Sequence, residues 1–341
     1  MENLSNRLEV VAKLSIPPGN ITLTPEGRVI LSLHQFYTPE IPVAELTQDG
    51  IVPFPNQSGE GIITLDTVLG IKSDDKGTVW MLDNGNRGES IPKLVAWDTN
   101  SNQLARVIYL PPPVTLDSSF VNDLAVDLTR NVVYISDPTE GNKAALIRVD
   151  LNTGLASRIL QGHQSVVPED IDLVIDGVPV RIKQPDETVI RPHLGANPIA
   201  LDAENEWVYF GAMHSTSIYR IRSADLSNAN LSEAELGSKI ERYSEKPICD
   251  GISIDQDNNI YLGDLANNGI GVITPDRSYQ MLITDEKLSW TDSFSFGSDG
   301  YLYLDCNQLH RSAPLNAGKD VSVPPYYILR LKPLASDIVG R

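Results

Sequence analysis

Asparagine and aspartate residues recur at one position of an internal repeat, and their side-chain oxygens could do chemistry. The recurrent positions are Asn20, Val68, Asn122, Asn197, Asp250 and Asp292, so five of the six are Asn or Asp. If the fold brought these side chains together, their oxygens would suit a hard cation such as Ca²⁺, which takes about six to eight oxygen ligands. Without a cation, crowded carboxylates raise one another's pKa, and one of them could act as a general base.

The repeat that carries these residues predicts a β-propeller. Each unit pairs two short β-rich runs through a polar turn, as in Ile252–Ile254, Asp255–Asn259 and Ile260–Leu262, which is typical of a β-hairpin. The second runs align at Ile30, Trp80, Tyr134, Tyr209, Tyr261 and Tyr303, with intervals of 50, 54, 75, 52 and 42 residues. A period of about 40–50 residues built from strands and turns indicates four-stranded blades. We therefore predict an all-β, six-bladed β-propeller.

The propeller geometry predicts where the recurrent residues meet. The innermost strand of each blade starts on the face where the second strand ends, so the recurrent Asn and Asp residues should form a ring around the axis on that face. We predict that Asn122, Asp250 and Asp292 are ligands of Ca²⁺ or another divalent cation. Residues at the ends of the second strands should join the ring on the same face: His34, Asp83, Asp137, His214, Asp264 and Asp305.

Further residues complete the candidate pocket. Asp250, His214 and His34 are the catalytic candidates, because an aspartate among other carboxylates or a histidine can transfer protons near neutral pH. Asn20 and Asn197 should contribute amide groups. His193 and the segment Met213–Ser215 are expected to border the pocket, with His34 and Arg87 at its rim. The sequence thus predicts a small-molecule site on the axis.

Structural roles for the same residue types stay open. Asp127, Asp202 and Asp255 follow their ring positions by five residues and are interpreted as turn residues that cap the hairpins. The aromatic anchors are interpreted as packing between blades. Asp83, Asp137 and Asp264 could bind backbone amides at strand ends, and His34 and His214 could be structural.

Composition excludes several classes of partner. The 27 basic and 45 acidic residues give a net charge of −18, which argues against nucleic acid and anionic membranes. No apolar run is long enough to span a membrane. The two cysteines, Cys249 and Cys306, cannot build a disulfide framework or a zinc site; a single bridge between them is conceivable, and buried free thiols are favoured. The N-terminus lacks a signal-peptide pattern, so the sequence as given is expected to be cytoplasmic, or secreted if a signal has been removed.

The whole sequence, residues 1–341, is predicted to be one propeller domain. Leu8–Ser15 precedes the first hairpin and should complete the last blade beside Tyr326–Leu331, because such a strand removes exposed sheet edges. The interval of 75 residues contains an insertion at about 161–193, between blades three and four, with a hairpin turning at Asp176 and Gly177. The one helix predicted is Leu231–Ile240.

Several segments in a fixed order resemble the major royal jelly protein/Yellow family. They are WMLDNGNRG, SFVNDLAVD, VVPEDIDLVIDGVPV, MHSTSIYRIRSADL and SFSFGSDGYLYLDCNQLHR, and they cover nearly the whole chain, including the insertion. The resemblance implies a six-bladed propeller. It implies function less directly, since members include dopachrome-converting isomerases, amine-binding salivary proteins and nutrients. Most insect members carry signals and extra cysteines, so this chain resembles a microbial-type relative.

The architecture also resembles the gluconolactonase and strictosidine synthase families. In the lactonases an axial divalent cation is held by a Glu, an Asn and an Asp. Asn122 and Asp250 correspond to the Asn and the Asp, whereas Asn20 stands where the Glu is expected. That departure weakens the likeness of the metal site, although Asp292 could supply the missing charge.

Three functions follow from these observations. The first is a propeller that binds a small molecule in an axial pocket, with isomerase activity as one form of it. The second is a divalent-metal-dependent hydrolase of lactone type. The third is a non-catalytic interaction scaffold. The expected partner is a small molecule rather than nucleic acid or membrane, and the protein is expected to be a monomer.

Overall fold

Six four-stranded antiparallel sheets follow one another along the chain, and they confirm the six-bladed propeller. The structure, a computed structural model, describes residues 8–56, 63–184 and 186–341, apart from the side chain of Arg87. Blade one contains β2 Pro18–Leu23, β3 Val29–Leu33, β4 Val43–Thr47 and β5 Gly50–Pro53. Blade two contains β6 Val68–Ser73, β7 Thr78–Asp83, β8 Lys93–Asp98 and β9 Gln103–Tyr109. Blade three contains β10 Leu124–Asp127, β11 Val132–Asp137, β12 Ala145–Asp150 and β13 Ala156–Ile159.

The second half of the chain repeats this order. Two short hairpins of the insertion come first, β14 Val174–Ile175 with β15 Val178–Pro179 and β16 Ile182–Lys183 with β17 Val189–Ile190. Blade four contains β18 Ala196–Leu201, β19 Trp207–Ala212, β20 Ser217–Arg222 and β21 Glu241–Glu245. Blade five contains β22 Ile252–Ile254, β23 Ile260–Asp264, β24 Gly269–Ile273 and β25 Tyr279–Thr284. Blade six contains β26 Thr291–Phe296, β27 Leu302–Cys306 and β28 Tyr326–Leu331, and its fourth strand is β1 Leu8–Leu14.

The N-terminal strand closes the propeller as predicted. β1 pairs antiparallel with β28, so that Leu8 faces Leu331 and Leu14 faces Tyr326. The sheet order β1-β28-β27-β26 makes β1 the outer strand of the last blade. Because the strand comes from the start of the chain and the other three from its end, the pairing joins the two ends of the ring.

Aspartate side chains form the turns of the repeated hairpins, which confirms their predicted structural role. Asp255 Oδ1 accepts hydrogen bonds from the backbone N–H groups of Asp257 and Asn259, at 3.0 and 2.9 Å. Asp202 Oδ1 likewise accepts from Glu206 N–H at 2.7 Å. The carboxylate satisfies turn amides that the strands leave unpaired, so an aspartate at this position stabilises hairpin turns in successive blades, although these turns differ in length.

Aromatic and aliphatic side chains fill the space between neighbouring blades. Tyr134, Tyr209 and Tyr261 are fully buried. Tyr134 belongs to a cluster that includes Ile199 and Phe210, so it joins blades three and four. The predicted packing role of these aromatic anchors is therefore confirmed. Burial of such side chains is the main stabilising contribution to the ring of blades.

The insertion folds over the face of the propeller on which the inner strands start. Its first hairpin, β14 and β15, turns at Asp176 and Gly177 as predicted. Leu173, Ile175 and Val180 pack in one cluster with Trp290, Leu309 and Leu315, which follow or precede strands of blade six. The insertion therefore covers part of the axial opening.

Short helices and free thiols complete the fold. The helices are α1 Gly85–Gly88, α2 Ser223–Leu226 and α3 Glu233–Gly237. The last lies within the predicted helix and begins at a capping box formed by Ser232 and Glu235. Cys249 and Cys306 are free and buried, as expected. Among the described residues there is no helix with the length and apolar character needed to cross a membrane. The single domain over 1–341 stays a prediction.

Candidate functional site

A cavity of about 350 Å³ opens on the face where the inner strands start. Four of the predicted ring residues line it, and they come from four different blades: Asn122, Asn197, Asp250 and Asp292. Its remaining walls are largely apolar and include Phe36, Phe120, Trp290, Leu309 and Leu315. The rings of Phe36 and Phe120 stack with their centroids 6.3 Å apart. We call this space the axial cavity. It combines an apolar body with a few convergent polar groups, which is typical of small-molecule sites.

Close packing of neighbouring blades brings the ring residues together. Gly251 N–H donates to Asp292 O at 2.8 Å. A Cβ atom at Gly251 would lie 2.5 Å from that oxygen, so only glycine allows this approach of blades five and six. On the other side of the cavity, Asn122 N–H donates to Ser136 O at 3.1 Å, which fixes the entry to β10.

A chain of side-chain hydrogen bonds crosses the axis. Asn122 Nδ2 donates to Asn197 Oδ1, and Asn197 Nδ2 donates to Asp250 Oδ1. The other oxygen of Asp250 accepts from the indole Nε1–H of Trp290 at 2.7 Å. Trp290 is buried and has a backbone φ of 60°, an unusual value for a bulky residue and one that often marks functional sites. Both oxygens of Asp250 are thus held in place by donors from other blades or loops.

Asp292 and Asp305 extend the group of carboxyls behind Asp250. Asp292 Oδ2 accepts from Asn307 Nδ2 at 2.6 Å. Asp305 Oδ1 accepts from the N–H and Oγ of Ser293, at 3.0 and 2.7 Å. Asp305 Oδ2 is buried and has no hydrogen-bond partner within the described part of the chain. A buried, unpartnered carboxylate oxygen is unfavourable when ionised.

Burial makes these carboxyls weak acids. It raises the pKa of Asp250 and of Asp305 to about 7. It also raises the pKa of Asp292 well above its usual range, with a further contribution from the charges of Asp250 and Asp305. Lys72, on the inner strand of blade two, is buried with Nζ donating to Phe294 O at 3.0 Å, and its charge acts on Asp123 and Asp305. Groups that titrate near neutral pH can both donate and accept protons there.

We expect the protein to become less stable between pH 5 and pH 8 in a buffer that contains a chelator. A carboxyl whose pKa is raised on folding contributes stability below its unfolded value of 3.8, and this contribution is lost as pH rises through the folded value of about 7. His214 and His310 oppose the trend, because burial lowers the pKa of each to about 4. Burial also lowers the pKa of His163, but more carboxyls are raised than histidines are lowered, so the free energy of unfolding should fall across this range. The raised carboxyls are those of Asp123, Asp202, Asp250, Asp292, Asp305 and Asp337.

Denaturant unfolding at several pH values measures this slope. Asp305→Asn should reduce it, since the variant removes one of the raised carboxyls. Asp276→Asn is the matched control, because Asp276 is a surface residue bonded to Thr274 and Ser278. Burial also raises the pKa of Asp337, outside the axial cavity, to about 7. Asp337 therefore contributes equally to the pH dependence of the free energy of unfolding in both variants. A free energy of unfolding that rises steadily from pH 5 to pH 8 would contradict the expected protonation states.

The structure separates the three predicted histidines. His34 lines the axial cavity, and its Nδ1 accepts from Phe36 N–H at 3.2 Å. His214 is placed beside the cavity rather than in its lining: it is buried, and its Nδ1 accepts from Leu194 N–H at 3.3 Å. His193 lies on an outer depression next to Asp170 and Glu140, 3.4 Å from Asp170 Oδ1. Of the segment Met213–Ser215, Met213 alone is in the lining.

Two other predicted pocket residues are placed differently. Asn20 is buried in β2, and the neighbouring Gly19 lines the cavity in its place. No donor to Asn20 Oδ1 is found in the described ranges. The side chain of Arg87 lies outside the described residues, although its backbone belongs to α1. Asp83 and Asp137 bind backbone amides, as their structural interpretation proposed: Asp83 accepts from Asp66 N–H and Asp137 from Phe120 N–H, at 2.7 and 2.9 Å.

Sequence reasoning missed Trp290, Asn307, Lys72 and Asp123. None of them recurs at a fixed place in the repeat, so the periodicity that located Asp250 gives no signal for them. Trp290 stands two residues before the ring position Asp292, and this closeness in the sequence is the one signal that could have identified it.

The residues of the axial cavity fit a hard cation in donor type. Asp250 and Asp292 supply carboxylates, and rotation of the two amides would turn the oxygen of Asn197 toward Asp250 and that of Asn122 toward Asn197. Within the described residues, however, no group of three or more His, Cys, Asp or Glu side chains could hold a metal ion. The set that remains is a mixture of two carboxylates and two amides, as preferred by Ca²⁺ rather than by softer metals.

Comparison with solved structures shows the fold. The chain is similar to luciferin-regenerating enzyme (13% identity, 98% of this chain and 97% of that chain, TM-score 0.58). It is similar to a gluconolactonase from Xanthomonas campestris (12% identity, 96% and 89%, TM-score 0.58). It is also similar to regucalcin, a calcium-binding protein from Agrobacterium tumefaciens (12% identity, 97% and 96%, TM-score 0.55). At these identities the likeness establishes the propeller and nothing finer.

Comparison with protein families gives a more specific result. None of the curated proteins matches the sequence. Residues 67–314 match the family described as major royal jelly protein. The match covers more than half of the chain and includes the insertion, Asn122, Asn197, Asp250 and Asp292. The chain belongs to the major royal jelly protein family.

Proposed function

We propose that the axial cavity binds a small molecule with an aromatic or apolar body and moves a proton within it, so that the protein is an isomerase. The observation that carries the proposal is Asp250, a buried carboxyl held by Asn197 and Trp290 at the side of an apolar cavity. Its pKa of about 7 lets it take a proton at one atom of the ligand and return it to another. Such a step needs no second reactant.

The cavity walls favour a compact ligand. Phe36 and Phe120 provide aromatic surface on one side, and Trp290, Leu309 and Leu315 provide apolar surface on the other. The charge of Asp250 acts on Asp292, whose carboxyl offers the ligand a second hydrogen-bonding group. Catechols and aromatic amines combine an apolar ring with such groups. We further propose that the protein acts as a monomer and does not bind nucleic acid or membranes, in keeping with its net charge of −18.

Titration of the protein with catechols, aromatic amines and small lactones tests the proposal. The indole N–H resonance of Trp290 and the δ-methyl resonance of Ile182 should shift, because Trp290 bonds to Asp250 and Ile182 lines the axial cavity. Ile108 and Ile159 belong to outer strands of blades two and three and serve as internal controls. Saturable shifts confined to the outer strands would contradict an axial site and favour the interaction scaffold.

A divalent-metal-dependent hydrolase of lactone type is the second candidate. It is favoured by the converging oxygens of Asn122, Asn197, Asp250 and Asp292 and by the fold that the chain shares with a gluconolactonase and with regucalcin. Asn122, Asp250 and Asp292 would hold the cation. A cation bound there would polarise a substrate carbonyl. Ionised Asp250 and Asp292 would lose much of their mutual repulsion next to it.

Calcium should then stabilise the protein by linkage. At a concentration one hundred times its Kd, a ligand that binds only the folded state adds about 2.7 kcal/mol, and thermal unfolding with chelator and with added Ca²⁺ measures this gain. Asp292→Asn should abolish the gain, whereas Asp276→Asn on the surface should keep it. If wild-type protein freed of metal unfolds at the same temperature with and without Ca²⁺, the protein does not bind the cation that the hydrolase requires. The isomerase is then the candidate function that remains.

A further inference from the structure

A second cavity, of about 280 Å³, lies at the opposite end of the propeller axis. It is formed where the inner strands of blades two to five end, whereas the axial cavity is formed where such strands start. Aliphatic side chains of three inner strands line it, among them Leu124, Ile199 and Ile252, and all three are buried. We call it the lower cavity. The two cavities share no lining residue, although the charge of Lys72 also acts on Asp305 beside the axial cavity.

Two polar groups reach the buried part of this apolar space. Ser253 is almost fully buried, and its Oγ has no hydrogen-bond partner among the residues described. Lys72 is also buried and also lines the lower cavity, where Nζ donates to Phe294 O at 3.0 Å. An ammonium group has three hydrogen atoms to donate. Ser253 and Lys72 therefore offer hydrogen-bond donors next to aliphatic walls.

The group of the lower cavity that favours an anion is the buried ammonium of Lys72. Asp74, also in the lining, is already committed, because it accepts from the N–H groups of Lys76 and Thr78 and from Trp80 Nε1–H at 2.9–3.0 Å. Arg341 is committed as well: its guanidinium donates to Asp202 O at 2.6 Å and to Asn205 Oδ1, and several acids act on its charge. An anionic head group would therefore meet Lys72.

The buried ammonium of Lys72 meets a backbone carbonyl, Phe294 O, rather than a carboxylate. The charges of Asp123 and Asp305 act on it from the side of the axial cavity. A carboxylate bound in the lower cavity would offset the desolvation of the Lys72 ammonium, which is unfavourable for a buried and unpaired charge.

We propose that the lower cavity binds an apolar monocarboxylate, with its head group on Lys72 and Ser253 and its hydrocarbon body against Ile199 and Ile252. The volume corresponds to the lower end of small-molecule pockets, so the ligand is a medium-chain or single-ring acid rather than a large lipid. The two cavities give the propeller two separate sites at opposite ends of its axis.

Titration with octanoate, followed through the isoleucine δ-methyl resonances of the full chain, tests this site. Ile199, Ile252, Ile254 and Ile338 line the lower cavity and should shift, whereas Ile182 lines the axial cavity and should not. Octylamine and octanol have the same hydrocarbon body without the acidic head group, and each should bind at least tenfold more weakly. Equal binding of the amine, shifts centred on Ile182, or the absence of any saturable shift would overturn the proposal.

Two variants test the head-group contacts. Lys72→Met should weaken octanoate binding at least tenfold and leave octanol binding nearly unchanged, because it removes the charge and keeps an unbranched side chain that is only one atom shorter. Ser253→Ala should weaken octanoate binding about threefold; it removes a hydroxyl that bonds to nothing described and is expected to leave folding intact. If Lys72→Met does not fold, Ser253→Ala decides the question. Octanoate binding that is unchanged in every folded variant would contradict the assignment.

Discussion

A chain that begins at Pro17, and therefore lacks β1, is expected to aggregate or to lose a large part of its free energy of unfolding. The deletion exposes the whole edge of β28, which β1 pairs from Tyr326 to Leu331, and unpaired edges recruit other chains. It also removes Leu14 from the cluster that holds Tyr326 and Ile328. The ion pair between Glu9 and Arg330 is lost as well, although its partly exposed charges contribute little. Thermal unfolding and light scattering measure both effects.

Adding the missing strand back as a peptide is the matched control. A peptide of residues 8–16 should restore part of the melting temperature, because it can pair with β28 as β1 does. A peptide with the same composition in scrambled order should not, since Leu14 would no longer meet Tyr326. An unchanged melting temperature in the truncated chain would mean that β1 does not stabilise the closed ring.

The parts of the fold that repeat could be predicted from the sequence. Asp202 and Asp255 cap turns in two blades because each carboxylate bonds to amides only a few residues away, although the turn at Asp202 is one residue longer. Local chemistry of this kind does not depend on the rest of the molecule. Asp250 and Asp292 could be located for a related reason: once the period fixes the blades, the start of every inner strand must lie at the axis.

The contacts that complete the site depend on loops, whose paths the period does not describe. His214 follows β19 and His193 precedes β18, both on the face where the axial cavity opens. His214 nevertheless accepts a hydrogen bond from Leu194 N–H beside the cavity, and His193 lies near Asp170 outside it. Trp290 reaches Asp250 from a loop with a left-handed backbone. Lys72 is the penultimate residue of the mostly apolar strand β6, where a charged residue is recognisable as unusual, but only the fold shows which acids act on it.

Asp250→Asn is expected to lower turnover at least a hundredfold, since general acid–base catalysis contributes about a hundredfold or more. The asparagine side chain keeps the shape of aspartate but cannot take up or release a proton near neutral pH. Its fold should be retained: the amides of Asn197 and Asn122 can rotate in succession, so that each still meets a partner of opposite type. Stability at pH 8 should rise slightly, because a buried ionised carboxyl has been removed.

The same variant separates the two candidate functions. For an isomerase, the affinity for a bound catechol or amine should stay within about threefold of wild type while turnover falls, because Asp250 acts in the transition state rather than in binding. For a metal-dependent hydrolase, stabilisation by Ca²⁺ should disappear together with turnover, as it should in Asp292→Asn. Trp290→Phe is the matched comparison: it removes the indole donor to Asp250 and keeps the aromatic wall. It should change the pH at which turnover is half-maximal rather than abolish turnover. Full activity of Asp250→Asn on a substrate turned over by the wild type would show that Asp250 is not the proton carrier.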